Sequence, residues 1–102
     1  MVLKFAFCNE ILEGADPKTA YQFAHTLGYR GLEVAPFTLG EQPTRLTPDQ
    51  RREFRQVALD SGLEIIGLHW LLAKTEGYHL TTPDEAVRQR TGDYLRSLIE
   101  GY

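Results

Sequence analysis

The chain has 102 residues, of which 42% are hydrophobic and 25% are charged, and its formal net charge is −3 at pH 7. This length fits one domain with a core of modest size, and the composition excludes disordered and fibrous proteins. The acidic balance disfavours nucleic acid as a partner, because phosphate-binding surfaces are basic. Cys8, the single cysteine, excludes an intrachain disulfide, and no apolar run reaches the ~20 residues that a membrane helix needs. We expect one cytoplasmic domain, residues 1–102, that binds neither nucleic acid nor membrane.

The first predicted strand and helix form the amino-terminal unit of the chain. Residues 3–8 are a short apolar run, and Asp16-Pro17 then supplies an N-cap residue followed by a proline suited to the first helical position. Gly28 is suited to the left-handed conformation that ends many helices. The apolar stripe of this helix comprises Ala20, Phe23, Ala24 and Leu27.

The second predicted unit repeats this plan. Residues 32–35 form an apolar strand, Thr47-Pro48 marks the start of a helix, and Gly62 marks its end. The apolar stripe of this helix comprises Phe54, Val57 and Ala58.

The third predicted unit has a strand over residues 63–68 and a helix that begins at Thr82-Pro83. Glu85 follows Thr82 at the spacing of a capping box, in which side chain and backbone satisfy each other's free groups. The apolar stripe of this helix comprises Val87, Tyr94, Leu95, Leu98 and Ile99.

The order of these elements predicts an α/β fold with a parallel sheet. Almost unbroken apolar runs are typical of parallel strands buried on both faces. Gly31-Leu32-Glu33-Val34 recurs 31 residues later as Gly62-Leu63-Glu64-Ile65, a spacing that matches one βα unit. A complete (β/α)8 barrel of the TIM type typically needs ~250 residues, so three consecutive units predict a partial barrel. A small open α/β sheet is the alternative.

The candidate functional residues follow from this fold, because parallel α/β proteins place their active groups at the carboxyl ends of the strands. Those positions hold Cys8, Asn9, Glu10, Glu33, Pro36, Phe37, His69 and Trp70. Glu33 is the most informative charge, since an unpaired carboxylate is costly to bury inside an apolar strand. It could accept a ligand hydroxyl or a proton, or it could make a structural hydrogen bond. Cys8 is expected to pack in the core, because a buried strand thiol is normally inert.

His69 and Trp70 follow the third strand. Gly67 shares a face with His69 by alternation and would leave room for a ligand beside the imidazole. The imidazole could hydrogen-bond a sugar hydroxyl, move a proton or bind a metal, or it could be a structural residue at the rim of the core. Trp70 could lie against a sugar face, although an aromatic residue at a strand end is as often simple packing.

Three segments of the chain resemble a known family. They are Lys4-Phe5-Ala6-Phe7-Cys8-Asn9-Glu10, Gly31-Leu32-Glu33-Val34-Ala35-Pro36-Phe37 and Gly62-Leu63-Glu64-Ile65-Ile66-Gly67-Leu68-His69-Trp70. Together they resemble the amino-terminal part of sugar phosphate isomerase/epimerase proteins of the xylose isomerase-like barrel superfamily. The resemblance spans essentially the whole chain.

The resemblance implies metal-assisted proton transfer on a ketose or aldose. The family's main metal ligands and its catalytic glutamates belong to later strands, so the implied Mn, Mg, Co or Zn ion would not be held completely by these three units. The positions that carry over as substrate-binding residues are Asn9, Glu10, Glu33, His69 and Trp70. Related apurinic endonucleases use a histidine after the third strand as a metal ligand, which makes His69 a metal-ligand candidate.

Two further functions remain open at this point. The open edges of a three-stranded sheet could pair with a second copy and make the chain a non-catalytic module of a homo-oligomer. Alternatively, the chain could bind a small sugar or sugar phosphate without converting it. For the enzyme and for the binding domain, the expected partner is a small sugar or sugar phosphate rather than a nucleotide, because no nucleotide-binding motif occurs in the sequence.

Overall fold

Three short strands form a parallel sheet in the order in which they occur along the chain, β1-β2-β3. The computed structural model describes residues 3–40 and 42–101. The strands are β1 (Ala6–Cys8), β2 (Gly31–Val34) and β3 (Glu64–Leu68). The predicted α/β fold with a parallel sheet is therefore confirmed. The first and third strands begin later than predicted, and the second has the predicted length but begins and ends one residue earlier.

Three α-helices accompany the sheet. They are α1 (Pro17–Thr26), α2 (Pro48–Asp60) and α3 (Glu85–Gly101). Shorter 3-10 segments follow the first two strands, at Asn9–Leu12, Pro36–Leu39 and Pro43–Arg45. No helix in the described part of the chain is both long and apolar enough to cross a bilayer.

The pairing of β2 with β3 contains a bulge. Leu32 lies opposite Ile65, but the next residue of β2, Glu33, lies opposite Gly67, so Ile66 has no partner of its own in β2. A bulge of this kind bends the strand and re-aims the side chains that follow it. Beyond the bulge, Val34 lies opposite Leu68 and the ladder is regular again.

The two faces of the sheet differ in their cover. On one face α1 and α2 bury the core, which comprises Phe7, Ala20, Tyr21, Ala24, Leu32, Val34, Ala58 and Leu63. On the other face Ala6 is exposed and Ile66 is 58% exposed. We call this second surface the open face. Gly31 lies on it between Ala6 and Ile66, and a methyl group added there would stand only 2.9 Å from the Ala6 Cβ.

The ends of α1 and α2 are those that the sequence predicts. The Asp16 carboxylate accepts a hydrogen bond from the Thr19 backbone N–H at 3.1 Å, and Thr47 and Gln50 form a complete capping box. Gly28 and Gly62 adopt positive φ values of 98° and 82° directly after the C-caps. Glycine is favoured at these positions because a Cβ is strained in the left-handed region.

The predicted start of α3 is wrong by two residues. The helix begins at Glu85, and the Asp84 carboxylate accepts hydrogen bonds from the backbone N–H groups of Ala86 (3.0 Å) and Val87 (3.3 Å). Thr82 instead accepts from the Asp84 N–H at 3.3 Å and forms no capping box with Glu85. Asp84 rather than Thr82 caps the helix, because a carboxylate is as good an N-cap as threonine and also complements the positive end of the helix dipole.

The buried stripe of α1 is rotated from the one predicted. Ala20 and Ala24 are buried as expected, but Phe23 and Leu27 are 59% and 62% exposed. Tyr21 takes their place and is only 3% exposed, with its ring edge-on to Phe7 at 6.4 Å. The small alanines let the helix approach the short strands closely, and the large aromatic ring fills the space beside them.

Candidate functional site

The end of β1 is tied to the end of β2 by a buried asparagine. Asn9 is 7% exposed, and its Oδ1 accepts from the Ala35 backbone N–H at 2.9 Å while its Nδ2 donates to Thr38 Oγ1 at 2.8 Å. These bonds fix the position of the loop that carries Glu10. The amide of Asn9 is thus engaged within the chain, and its predicted contact with a substrate stays a prediction.

His69 lies where the ladder between β2 and β3 ends. Its backbone N–H donates to the Val34 carbonyl at 2.8 Å, which extends the pairing by one bond beyond β3. Its Nε2 lies 3.3 Å from Glu10 Oε1, and its Nδ1 lies 4.0 Å from Glu33 Oε1. The imidazole therefore lies between two carboxylates, one in the segment that follows β1 and one in β2.

A fourth side chain joins this group. Ligand atoms of Cys8, Glu10 and His69 all lie within 4.8 Å of one another. We call Cys8, Glu10, Glu33 and His69 the edge cluster, because they meet at the carboxyl edge of the sheet. Cys8 was expected in the core, but it is half-buried outside the core, in register with Glu33.

The edge cluster carries negative charge from two carboxylates. Within residues 3–40 and 42–101, the basic side chain within 4.0 Å of Glu10 and of Glu33 is the His69 imidazole, and no Lys or Arg neutralises either carboxylate. Burial raises the pKa of the Cys8 thiol, and the charges of Glu10 and Glu33 raise it further, against a backbone hydrogen bond from Glu10 that lowers it. The thiol is therefore protonated at neutral pH unless a cation enters the cluster.

Accessibility distinguishes the members of the cluster. The Glu10 side chain is 22% exposed, whereas those of Glu33 and His69 are each 42% exposed. Gly67, opposite Glu33, has no atom within 4 Å of the position of an added Cβ. Solvent or a small ligand can thus reach Glu33 and the imidazole from the open face.

Aromatic residues stand beside the cluster. Trp70 is 57% exposed, has a positive φ of 56°, and meets Phe37 edge-on at a ring distance of 5.6 Å. The Lys74 ammonium lies over the Phe37 ring, 4.5 Å from its centre. The same ammonium lies 3.6 Å from Glu13 Oε1. An open cleft of about 760 Å³ adjoins this group and is lined by Glu13, Phe37, Lys74 and Tyr94 among others.

Of the five substrate-binding residues predicted from the sequence, the structure brings Glu10, Glu33 and His69 together. Trp70 lies next to them, its ring 6.4 Å from the imidazole, and Asn9 lies beneath, occupied with structural bonds. Cys8 is the member that the sequence argument assigned elsewhere. Alternation from the buried Phe7 would have placed it on the open face.

The fold and the edge cluster define a class: an α/β domain whose ionisable side chains gather at the carboxyl edge of a parallel sheet. No family model, no curated protein and no solved structure matches the chain. The arrangement can do three things chemically. It can accept hydrogen bonds from hydroxyl groups, move a proton between imidazole and carboxylate, and attract a cation.

Proposed function

We propose that the chain supplies the first units of a sugar or sugar phosphate isomerase or epimerase, with its edge cluster as one wall of the substrate pocket. The observation that carries this proposal is the imidazole of His69 between the carboxylates of Glu10 and Glu33. The resemblance of the strand segments to sugar phosphate isomerase/epimerase proteins points to the same substrate class.

The one-sided cover of the sheet supports a partial (β/α)8 barrel. In such a barrel consecutive parallel strands carry helices on the outside, and the other face of the sheet lines the interior. Here the strands are consecutive and parallel, and α1 and α2 bury one face only. Glu33 and Ile66 on the open face would then point into the barrel.

The chemistry that fits these residues is proton transfer at the carbon next to a sugar carbonyl. A carboxylate of Glu33 or Glu10 would take the proton from that carbon, and the C–H electron pair would form the C=C bond of an enediolate while the carbonyl oxygen takes the negative charge. Return of the proton to the other face of the same carbon gives the epimer. Its return to the former carbonyl carbon, together with transfer of the hydroxyl proton of the first carbon to the charged oxygen, gives the isomer. His69 would hydrogen-bond the oxygen that gains charge, and Trp70 would cover the apolar face of the sugar ring.

The resemblance also implies a divalent metal, which would act as a Lewis acid on the substrate oxygens when bound. Among the described residues, the group with ligand atoms close enough together to hold one is Cys8, Glu10 and His69. A sulfur-containing set does not fit Mg²⁺, which takes oxygen ligands. Glu33 and His69 need no metal to bind hydroxyl groups.

The test is the binding and exchange of sugars by the 102-residue chain. Ketoses, aldoses and their phosphates would be screened in D₂O by NMR, which reports both contact with Trp70 and deuterium entering the carbon acid. We expect Glu33→Gln and His69→Asn to weaken binding and abolish exchange. Glu64→Gln is the matched control, because Glu64 is exposed at the opposite end of β3.

Two results would contradict the proposal. Failure of every sugar to bind would remove the substrate class altogether. Binding without any deuterium exchange would refute isomerisation by this chain and leave it as a sugar-binding domain.

A second candidate function is favoured by the exposed apolar residues of the sheet. Both β1 and β3 are edge strands, and Ile66 on the open face is 58% exposed. A second copy of the chain could pair with such an edge and cover the open face. Light scattering at several protein concentrations tests this: a dimer or larger assembly that Ile66→Lys dissociates would support it, and a monomer throughout would exclude it.

A further inference from the structure

Sulfur, oxygen and nitrogen ligands converge at the carboxyl edge of the sheet. We propose that Cys8, Glu10 and His69 bind a Zn²⁺ ion, with Glu33 holding the imidazole in place. Cys8 ends β1, Glu10 follows it, and His69 follows β3, so this site needs only residues of the first three units. It shares Glu10, Glu33 and His69 with the proposed sugar pocket, but zinc binding does not require the sugar chemistry. It uses a thiolate, whereas the metal site implied by the resemblance belongs to later strands.

The distances fit zinc. Two ligand atoms that are each about 2.0–2.1 Å from a tetrahedral zinc ion lie about 3.3 Å apart. His69 Nε2 and Glu10 Oε1 are 3.3 Å apart without any rearrangement. The Cys8 sulfur lies within 4.8 Å of both partners. A Zn–S bond of about 2.3 Å places the sulfur about 3.6 Å from each of the other ligand atoms, so ligation would draw it inward by about 1.2 Å at most.

The backbone holds these ligands in place. Cys8 ends β1, which pairs with β2 along its whole length, and the His69 N–H is bonded to the last residue of β2. Asn9, between Cys8 and Glu10, fastens this segment to Ala35 through a buried hydrogen bond. Three ligands from two segments of the chain, Cys8 to Glu10 and His69, are therefore positioned before any metal arrives.

Glu33 does not bind the zinc ion in this proposal but positions the imidazole that does. A metal-bound histidine usually directs its other ring nitrogen to a carboxylate, which fixes the ring and makes it a better ligand. Glu33 Oε1 lies 4.0 Å from His69 Nδ1, on the side of the ring away from Glu10. Its charge also adds to the attraction of a cation, since no Lys or Arg pairs with it in the part of the chain that the structure describes.

The donor types select the metal. Thiolate and imidazole ligands suit Zn²⁺ and Co²⁺, whereas Mg²⁺ prefers an all-oxygen shell. Three protein ligands leave a fourth tetrahedral position free, which is the pattern of zinc sites that bind water or a substrate rather than purely structural ones. Binding replaces the thiol proton by the metal, and that proton leaves to solvent.

The test is titration of the metal-free 102-residue chain with Zn²⁺ and with Co²⁺, without sugar. We expect one Zn²⁺ per chain, a rise in Tm on binding, and a Co²⁺ complex with a near-ultraviolet thiolate-to-metal band. Cys8→Ser should abolish that band, and His69→Asn and Glu10→Gln should each weaken Zn²⁺ binding by more than tenfold. Glu33→Gln should weaken it by about tenfold, the usual scale for a second-layer partner.

Two controls test whether each variant is folded and whether the loss of Zn²⁺ binding is specific to the site. Far-UV circular dichroism shows whether each variant is folded. If Cys8→Ser does not fold, Cys8→Ala provides a second, apolar replacement. Glu64→Gln, on the same sheet but at its other end, should bind Zn²⁺ like the unmodified chain.

The proposal is overturned if Zn²⁺ does not bind stoichiometrically, if the Co²⁺ complex has no thiolate band, or if Glu64→Gln weakens binding as much as Glu10→Gln. Failure here leaves the sugar experiment unaffected, because that experiment measures binding to Glu33, His69 and Trp70. Conversely, a chain that binds Zn²⁺ but no sugar would refute only the isomerase proposal.

Discussion

Shortening one side chain on each face of the sheet to alanine tests whether the open face is uncovered in solution. Leu32 is fully buried under α1 and α2, whereas Ile66 on the other face is 58% exposed. Replacing a fully buried leucine by alanine costs about 2–5 kcal/mol, because the side chain loses its burial and leaves a cavity. Ile66 has less than half of its surface to lose, so Ile66→Ala should cost about 1 kcal/mol or less.

The assay is urea unfolding of both variants, followed by far-UV circular dichroism. A change in midpoint at constant m-value reports the free energy of unfolding. We expect Leu32→Ala to lower the midpoint much more than Ile66→Ala. Similar losses in the two variants would refute the one-sided sheet, since they would mean that another surface buries Ile66. A loss at Ile66 that grows with protein concentration would identify that surface as a second copy of the chain.

Three other predictions concern individual side chains. Asn9→Ala should destabilise the chain by about 1–3 kcal/mol, because it leaves the buried Ala35 N–H without a partner; thermal or urea unfolding measures this, and a neutral effect would contradict it. Alkylation of Cys8 should reach its half-maximal rate at a higher pH than alkylation of a free cysteine, because burial and two carboxylates raise the pKa of the thiol; a profile at or below that of free cysteine would argue against the cluster. Asp84→Ala should cost about 1 kcal/mol and Thr82→Ala clearly less, and the reverse order would favour the helix start that the sequence predicts.

The overall architecture could be predicted because its determinants are local. Apolar runs mark the strands, and Asp16-Pro17 and Thr47-Pro48 mark two helix starts that the structure confirms. The consecutive parallel order follows from the repeated strand and helix pattern together with the right-handed crossover rule. These features depend on neighbouring residues and on chain connectivity, which are visible in the sequence.

The errors come from positions where two nearby residues could play the same role. Phe23 and Tyr21 both lie on α1, and the helix turns Tyr21 inward because its ring meets Phe7. Thr82 and Asp84 both precede α3, and the stronger N-cap determines where the helix begins. For α1 the outcome depends on a contact with a distant residue, whereas for α3 it depends on which of two neighbouring side chains caps the helix better.

The candidate site was partly predictable for the same reasons. Strand ends of a parallel sheet lie at one edge, so the approach of Glu10, Glu33 and His69 follows from the topology. Their distances do not, because they depend on the register between strands. The sequence argument did not place Cys8 in the edge cluster. It relied on the tendency of cysteine to be buried, whereas alternation with the buried Phe7 places Cys8 on the open face.

The bulge at Ile66 explains how the histidine comes to join the cluster at all. Strict alternation from the buried Leu63 would direct residue 69 toward the helices, on the same side as Ile65. The unpaired residue reverses the phase of the alternation, so that Leu68 packs against the core and His69 emerges beside Glu33. A single inserted residue thus converts a position of the hydrophobic layer into one that faces a ligand, without changing the strand order or the pairing on either side.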